Sequence, residues 1–279
     1  MEVFDSSQSL VNHLSAQPRP LGMVPTMGAL HKGHFSLIDK ALKENQSVLI
    51  SIFINPTQFD DKSDFKNYPV KTDSDLQKIK KYGGNIFVYT PSVSDIYGNT
   101  IESKFFDLSG LDQVMEGAKR TGHFQGVATI VSRFFEIFKP DKAYFGEKDF
   151  QQLRIIQQMT LSQRLNTKII GCPIIRESDG LAMSSRNSLL SNEERNLAVK
   201  IYEGLQFAKS NAKKLPYRKL KEKVVDFYKK HEAIKLDYFI ISDPKTLKEV
   251  DLNQPVSQGR GFVAAYLGKI RLIDNLDMS

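Results

Sequence analysis

The sequence predicts an α/β fold, a doubly wound parallel sheet with a smaller α+β domain after it. Three observations carry that reading. Apolar runs with strand character alternate with helical periodicity over the first two thirds of the chain. One run, Ser47–Ile54 (SVLISIFI), is continuously apolar, as in a parallel strand buried on both faces. After Ile175 the pattern changes to helices followed by strands able to pair as a hairpin.

The elements follow in order. Ser6 or Ser7 caps a first helix through His13. Leu21–Val24 is a strand, with a helix starting near His34. Ser47–Ile54 is the next strand, and a long polar loop, Asn55–Val70, comes after it. Thr72, with Asp75 three residues on, starts a helix that ends at Gly83-Gly84. Asn85–Thr90 is a strand. A helix from about Gly122 buries Val127, Ile130, Val131, Phe134, Phe135 and Phe138, and Pro140 and Asp141 terminate it. Lys142–Phe145 is a strand, Asp149–Ser162 a helix and Thr167–Ile170 a strand. Repeated β-α units build a parallel sheet covered on both faces, with ligands at the carboxyl ends of its strands. Farther on, Ser191 and Glu194 form a capping box for a helix to about Ala212. A second helix carries Val224, Val225, Phe227 and Tyr228. Leu236–Ser242 and Gly261–Ile273, the latter broken at Gly268-Lys269, are strands. The boundary falls near Pro173–Arg176, giving domains 1–174 and 175–279.

Composition narrows the function. The 279 residues suffice for one large domain or two ordinary ones, and 41% hydrophobic with 25% charged residues reads as soluble and globular. No apolar run approaches a membrane span, and the acidic, polar start MEVFDSSQSLVNHL argues against a signal peptide. Cys172 is the single cysteine, which excludes intramolecular disulfides and Cys-based zinc sites and fits a reducing cytoplasm. The net charge of +7 permits nucleic-acid binding. Much of the excess lies on periodic segments such as Lys213, Lys214, Arg218, Lys219, Lys221 and Lys223, which read as a solvated helix face. A small anion such as ATP uses positive charge equally well.

Leu21–Ile38 (LGMVPTMGALHKGHFSLI) is the most informative stretch. An apolar run enters a small-residue turn, Pro25 to Ala29, then His31 and His34 follow with Gly33 between them. Phe35, Leu37, Ile38, Ala41 and Leu42 recur at helical spacing. Strand, tight turn, His-x-Gly-His and helix make a nucleotide-site architecture. The free N–H groups and positive dipole end of the first helical turn favour an anion. The two imidazoles lie on the same side of that turn, and Gly33 leaves room for a ligand. Such a corner suits a triphosphate undergoing substitution at the α-phosphorus. The same spacing serves metal pairs, so the segment alone leaves both readings open.

Four further segments read as ligand loops. Asn55-Pro56-Thr57-Gln58-Phe59 follows a buried strand, and its amides suit a carboxylate, hydroxyls or an amine; a plain Asn-Pro turn is the alternative. In Arg120–Gly126, directly before a helix, His123 either reaches an anion or is an ordinary cap-region histidine. Phe145-Gly146-Glu147-Lys148-Asp149 passes from strand to helix. There Gly146 permits close approach, Lys148 supplies a point charge, and Asp149 caps the helix or faces a ribose or magnesium. Gln152 lies one turn on, on the same face. A surface Lys148–Asp149 ion pair is the alternative. In Arg176–Asn187, Asp179-Gly180 signals a turn, and Ser184, Ser185 and Arg186 offer two hydroxyls and a planar cation for phosphate oxygens. A mobile loop there would close over nucleotide and exclude water.

In this order the segments PTMGALHKGH, FINPTQF, DFKNYP, the EG…R-GHF-GV run, PDKAYFGEKDFQQL, RESDGLAMSSRN and RLIDN resemble the pantoate–β-alanine ligase (pantothenate synthetase) family over nearly the whole chain. The His-x-Gly-His and Met-Ser-Ser-Arg pair also resembles the adenylyl-transferring superfamily that includes class I aminoacyl-tRNA synthetases. Two positions depart from the pattern: Val70 stands where arginine is expected, and Thr121 where proline is expected.

The resemblance implies a Rossmann-like nucleotide- and pantoate-binding domain and a smaller domain closing over the active site. It implies that ATP and pantoate give pantoyl adenylate and pyrophosphate, and that β-alanine then gives pantothenate and AMP. His34 takes a proton-donor role, with His31, Lys148 and Arg186 as its catalytic partners. ATP contacts map onto Met27, Gly28, Ala29, Leu30, His31, Lys32, Gly33 and His34. They continue at Gly146, Glu147, Lys148, Asp149, Ile175, Met183, Ser184, Ser185 and Arg186. Pantoate contacts map onto Gln58 and Gln152, with Gln58 also meeting β-alanine. Mg2+ is expected with ATP, a dedicated protein metal site is not, and a cytoplasmic homodimer is implied. Two rivals are an adenylyltransferase of the same superfamily acting on another small acceptor and a basic RNA-binding protein.

Overall fold

The structure, a computed structural model, describes residues 1–60 and 62–279. Met1–Glu147 with Gln151–Pro173 form one compact unit, and Lys148–Phe150 with Ile174–Ser279 form the other.

The first unit opens with β1 (Glu2–Phe4), α1 (Ser7–Leu14), β2 (Leu21–Thr26), α2 (Lys32–Glu44) and β3 (Ser47–Ile52). A 3-10 turn (Pro56–Gln58), α3 (Lys62–Asn67), α4 (Thr72–Ile79), β4 (Ile86–Tyr89) and α5 (Val93–Tyr97) follow. Then come α6 (Met115–Lys119), α7 (His123–Phe138), β5 (Lys142–Gly146), a 3-10 turn (Glu147–Asp149), α8 (Phe150–Ser162) and β6 (Lys168–Cys172). The six strands form one parallel sheet in the order β1-β4-β3-β2-β5-β6.

Burial explains why these runs are strands. All six residues of β3 are buried, so it reads as an unbroken apolar run rather than an alternating one. On one face Val24, Ile50 and Val88 pack with Leu37, Ile38 and Ala41 of α2 and Ile79 of α4. On the other face Tyr89 meets Phe134 and Phe138 of α7 edge-on, with ring centroids 6.1 and 5.0 Å apart. Val127, Ile130, Val131, Phe134, Phe135 and Phe138 are buried, as the helical spacing predicts.

The second unit holds a 3-10 turn (Ser185–Leu189), α9 (Asn192–Ala212), α10 (Tyr217–Lys229), β7 (Ile234–Ser242), β8 (Arg260–Leu267) and β9 (Ile270–Asp277). Its three strands form a separate antiparallel sheet in the order β7-β8-β9. Ile201 and Leu205 of α9, Leu220, Val224 and Tyr228 of α10, and Val263, Ala265 and Leu272 of the sheet share its core. Ser191 caps α9 with the expected reciprocal box: its Oγ accepts from Glu194 N at 3.2 Å, and its own N–H donates to Glu194 Oε2 at 2.8 Å. This is the α/β architecture with a smaller α+β part that the sequence predicts.

Several elements differ from the sequence reading. The three-residue edge strand β1 is too short to show a pattern. The loop expected over Asn55–Val70 contains the Pro56–Gln58 turn and α3, and Asp61 within it lies outside the described residues. α4 stops at Ile79 rather than at Gly83-Gly84, and α8 begins at Phe150 after a 3-10 turn. α2 begins at Lys32, two residues before His34, because His31 itself caps it.

Candidate active site

Strand order reverses beside β2: the chain runs β2, β3, β4 to one side, then returns to lay β5 and β6 on the other. Ligands in open α/β sheets bind at such a reversal, outside the carboxyl ends of the strands. β2 and β5 ladder only through Gly22–Lys142 and Met23–Ala143 among the described residues. Their carboxyl ends lead into two segments that the sequence singles out, Met27–His34 and Gly146–Glu147.

The turn after β2 is anchored at three points. Thr26 Oγ1 donates to Ser51 O (2.8 Å) and accepts from Gly28 N (3.2 Å). Gly28 has a φ of +84° and Ala29 one of +51°. A Cβ on Gly28 would lie 3.2 Å from Ile52 Cγ2 and 3.3 Å from Asp75 Oδ2, so backbone angle and space both call for glycine. Leu30 N donates to Asp75 Oδ1 (2.9 Å), while Lys78 Nζ donates to Leu30 O (3.0 Å) and lies 3.7 Å from the same carboxylate oxygen. Asp75 is wholly buried. This corrects the reading in which Thr72 and Asp75 together start the helix. The residue before α4's first turn is Lys71, with no side-chain cap, and the Asp75 carboxylate is turned to a partner 45 residues earlier.

The two histidines close a capping box of their own. His31 Nδ1 accepts from Gly33 N (3.1 Å), and His34 Nδ1 accepts from His31 N (3.3 Å). Their ring centroids are 4.1 Å apart. A nitrogen that accepts carries no proton in the neutral ring, so both imidazoles hold theirs on Nε2. The sequence reading leaves the main-chain N–H groups of this turn for an anion. In the structure two of them are taken by imidazole nitrogens, and the side chains present Nε2–H donors instead.

The Asn55–Gln58 turn is held from beneath by α7. Asn55 is 1% exposed; its Nδ2 donates to Gly126 O (3.1 Å) and Gln58 Oε1 (3.2 Å), and its Oδ1 accepts from Thr57 Oγ1 (3.1 Å) and Tyr97 Oη (2.5 Å). Gln58 Nε2 reaches Met27 Sδ at 3.0 Å, so this turn and the one after β2 touch. A Cβ on Gly126 would lie 2.2 Å from Thr57 O and 2.7 Å from Gln58 N, so only glycine lets the turn sit on the helix.

His123 is part of the same support. Arg120 Nη1 donates to its Nε2 (3.2 Å), because guanidinium cannot accept. Its proton is therefore on Nδ1 and points to Gln58 O (2.7 Å). Burial, then the neighbouring Arg120 charge, push its pKa down to about 4. His123 is thus a neutral strut under Gln58, the cap-region alternative of the sequence reading.

At the end of β5, a Cβ on Gly146 would meet no protein atom within 4 Å. Gln152 is half-buried on α8, whereas Gln151 is buried and structural. The latter's Oε1 accepts from Glu116 N (3.0 Å), and its Nε2 donates to Leu111 O and Val114 O (both 2.8 Å). Cys172 is buried, and burial raises its thiol pKa to about 11, which leaves it inert at neutral pH.

The remaining candidates belong to the second unit. Ile175–Met183 is a tight hairpin: Met183 N donates to Ile175 O (3.0 Å) and Glu177 N to Leu181 O (2.8 Å), with Gly180 at φ +95° in the expected Asp-Gly turn. Arg176 clamps it with a bidentate pair to buried Asp274 (2.6 and 3.0 Å) and a bond to Gly180 O (3.0 Å), its guanidinium 3.8 Å from the Tyr202 ring centre. Burial pushes the Asp274 carboxyl up from the ordinary value, and Arg176 and Lys148 oppose that. Ser184 Oγ caps the following turn through Arg186 N (3.3 Å). Lys148, Ser184, Asn187 and Asp274 line one small cavity. Asp149 lies 3.8 Å from Lys148 Nζ and is half-exposed.

Among the described residues no three His, Cys, Asp or Glu side chains gather to hold a metal ion, and no helix is long and apolar enough to cross a membrane. Asp75, Arg176, Asp274 and Asn275 are the supports that sequence reasoning missed as such. Arg176, Asp274 and Asn275 did stand inside quoted motifs, which was the available signal.

A family model described as pantoate-beta-alanine ligase matches residues 2–277. A pantothenate synthetase of Christiangramia forsetii is 44% identical over 286 residues, covering 100% of this chain and 100% of its own. One from Bacteroides fragilis is 44% identical over 269 residues, covering 96% and 95%. The crystal structure of pantothenate synthetase from Thermus thermophilus matches with a TM-score of 0.92 at 35% identity, covering 100% of this chain and 99% of its own. A pantoate-beta-alanine ligase from Francisella tularensis, solved with beta-gamma ATP and beta-alanine, matches with a TM-score of 0.80 at 35% identity, covering 100% and 98%.

Two outcomes follow for the supports. Gly126→Ala gains about 0.5–1 kcal/mol of helix propensity but meets the Thr57 carbonyl, and overpacking costs roughly 1–3 kcal/mol. The thermal midpoint therefore falls; a midpoint equal to or above wild type would show that the turn yields freely. Asp75→Ala strands Leu30 N and costs about 1–3 kcal/mol, whereas Asp75→Asn keeps an acceptor there and loses less. Hydrogen exchange at the Leu30 amide checks this, and equal protection in both variants would sink the assignment.

Proposed function

The chain belongs to the pantoate–β-alanine ligase family, and on that premise we propose how its residues divide the two steps of an AMP-forming condensation. The pantoate carboxylate attacks the α-phosphorus of ATP, the bond to the bridging oxygen breaks, and pantoyl adenylate and pyrophosphate form. The β-alanine amine then attacks the acyl carbon, AMP leaves, and pantothenate forms as the amine gives up a proton. Adenylation comes first because oxide is a poor leaving group and AMP a good one. The named relatives, full-length at 44% identity, favour this reaction over adenylyl transfer to another acceptor.

The observation that carries the residue assignment is the His31–His34 corner. Two rings 4.1 Å apart are held by main-chain amides with their Nε2–H groups as donors, at the carboxyl end of β2. Donors fixed before the reaction stabilise charge moving onto pyrophosphate without reorganising. His34 is the proton donor of the set, and His31, Lys148 and Arg186 its electrostatic partners. Met27 to His34, Gly146 to Asp149, Ile175, and Met183 to Arg186 receive the nucleotide. Gln58 and Gln152 receive pantoate. Gln58, locked by Asn55 and by the neutral His123 beneath it, also meets the β-alanine amine. The nucleotide would enter with Mg2+, which would need few protein ligands because phosphate oxygens suit it. We propose a cytoplasmic homodimer, as the family resemblance implies, with no nucleic acid or membrane as partner.

Lys148→Ala and His34→Ala should each lower kcat by about 10²–10³; the thermal midpoint is little changed in Lys148→Ala and falls in His34→Ala, which strands the His31 amide. Near-wild-type turnover in either would show that the triphosphate lies elsewhere. Enzyme with Mg·ATP and pantoate, without β-alanine, should release pyrophosphate in a burst of about one per site and retain the adenylate, since excluded water protects a mixed anhydride. Adding β-alanine should then yield pantothenate and AMP by mass. Pyrophosphate that waits for β-alanine would overturn the ordering, and ADP among the products would overturn the reaction class.

A further inference from the structure

Lys148 follows β5 in the chain, but its carbonyl is held by the last strand. Asn275 of β9 donates from Nδ2 to Lys148 O at 2.8 Å, across 127 residues of sequence. The same carboxamide accepts at Oδ1 from Arg260 Nη1 at 2.6 Å. Arginine has no acceptor, so the amide has one orientation: oxygen to Arg260, nitrogen to the lysine carbonyl. Asn275 is 1% exposed, and a buried amide engaged at both ends is costly to turn. Arg260 is itself fixed, its guanidinium 4.0 Å from the centre of the Phe150 ring two residues beyond Lys148. Phe150 in turn packs on Phe262 of β8 with ring centroids 5.9 Å apart. The neighbouring residue on β9, Asp274, holds Arg176 and through it the hairpin that leads to Ser184.

We propose that Asn275 is a positioning residue for the reaction: its carboxamide fixes the main chain of Lys148, and so the reach of that ammonium, in one frame with Ser184, Ser185 and Arg186. The inference rests on the reading that Lys148 meets the ATP phosphates. In metal sites, residues that orient the ligands are worth about 10–100-fold in activity, and a comparable factor is expected for a residue that orients Lys148. A cation displaced by about 1 Å loses a similar factor.

Asn275→Asp separates positioning from folding. The aspartate keeps the shape and strengthens the pair with Arg260, but sets an acceptor against the Lys148 carbonyl. Pyrophosphate release from Mg·ATP and pantoate is measured for wild type, Asn275→Asp, Lys148→Ala and the double variant, each with its thermal midpoint. We expect the rate constant of the pyrophosphate burst to fall about 10–100-fold in Asn275→Asp, with a midpoint within a few degrees of wild type. The double variant should be no worse than Lys148→Ala, because Asn275 acts through that side chain. Asn275→Asp within threefold of wild type, or losses that multiply in the double variant, would overturn the proposal. If Asn275→Asp does not fold, Asn275→Ala is read in the same cycle by the same criteria. Activity retained by Lys148→Ala would instead refute the phosphate reading beneath it, so the two failures are distinct.

Discussion

A parallel sheet that winds both ways from one strand opens where the winding reverses, and the chemistry assigned to this molecule depends on that opening. Among the described residues β2 and β5 share only two residue pairs, and their carboxyl ends then carry the histidine corner and Gly146. The long helices α2 and α7 shield the sheet's apolar faces, which lets β3 stay fully buried while the loops at its end remain polar. The core thus does its work by holding strand ends still.

The same device recurs at the candidate segments: a polar side chain far away in sequence immobilises a backbone group beside a residue proposed to react. Asp75 holds Leu30 N, His123 holds Gln58 O, and Asn275 holds Lys148 O. Each partner is buried, so the bond is shielded from water and costly to leave unmade. Histidine plays two parts under this rule. His31 and His34 spend Nδ1 on main-chain amides and keep Nε2–H as a donor, whereas His123 is desolvated and neutral down to about pH 4. Equal side chains acquire different chemistry from what their other nitrogen touches.

Local signals were legible in the sequence. The Ser191–Glu194 box, the Asp179-Gly180 turn, the apolar β3 and the aromatic face of α7 are all short-range patterns, and each is present, with β3 ending at Ile52 rather than at the expected Ile54. The segments bearing candidate residues were legible too, through ordered motifs. What failed was any reading in which a local partner competed with a distant one. Thr72 and Asp75 have capping-box spacing, yet the Asp75 carboxylate gains more from a buried amide 45 residues away than from an exposed helix end. Gln151 and Gln152 are equivalent in composition, and only packing against Leu111–Glu116 tells the structural one apart. That α2 starts at Lys32 could not be seen without knowing that histidine serves as its cap.

Lys148, Asp149 and Phe150 cluster with residues beyond Ile174 while their chain neighbours on both sides belong to the first unit. The polypeptide therefore crosses between units at Glu147–Lys148, Phe150–Gln151 and Pro173–Ile174 rather than once. No single cut yields two self-sufficient fragments. A piece ending at Pro173 would keep Lys148 but lose Asn275, and would leave the Phe150 ring without Arg260 and Phe262. The first unit is thus interrupted in sequence by three residues that cluster with the second. Recombination that exchanged the C-terminal part alone would have to match these three residues as well.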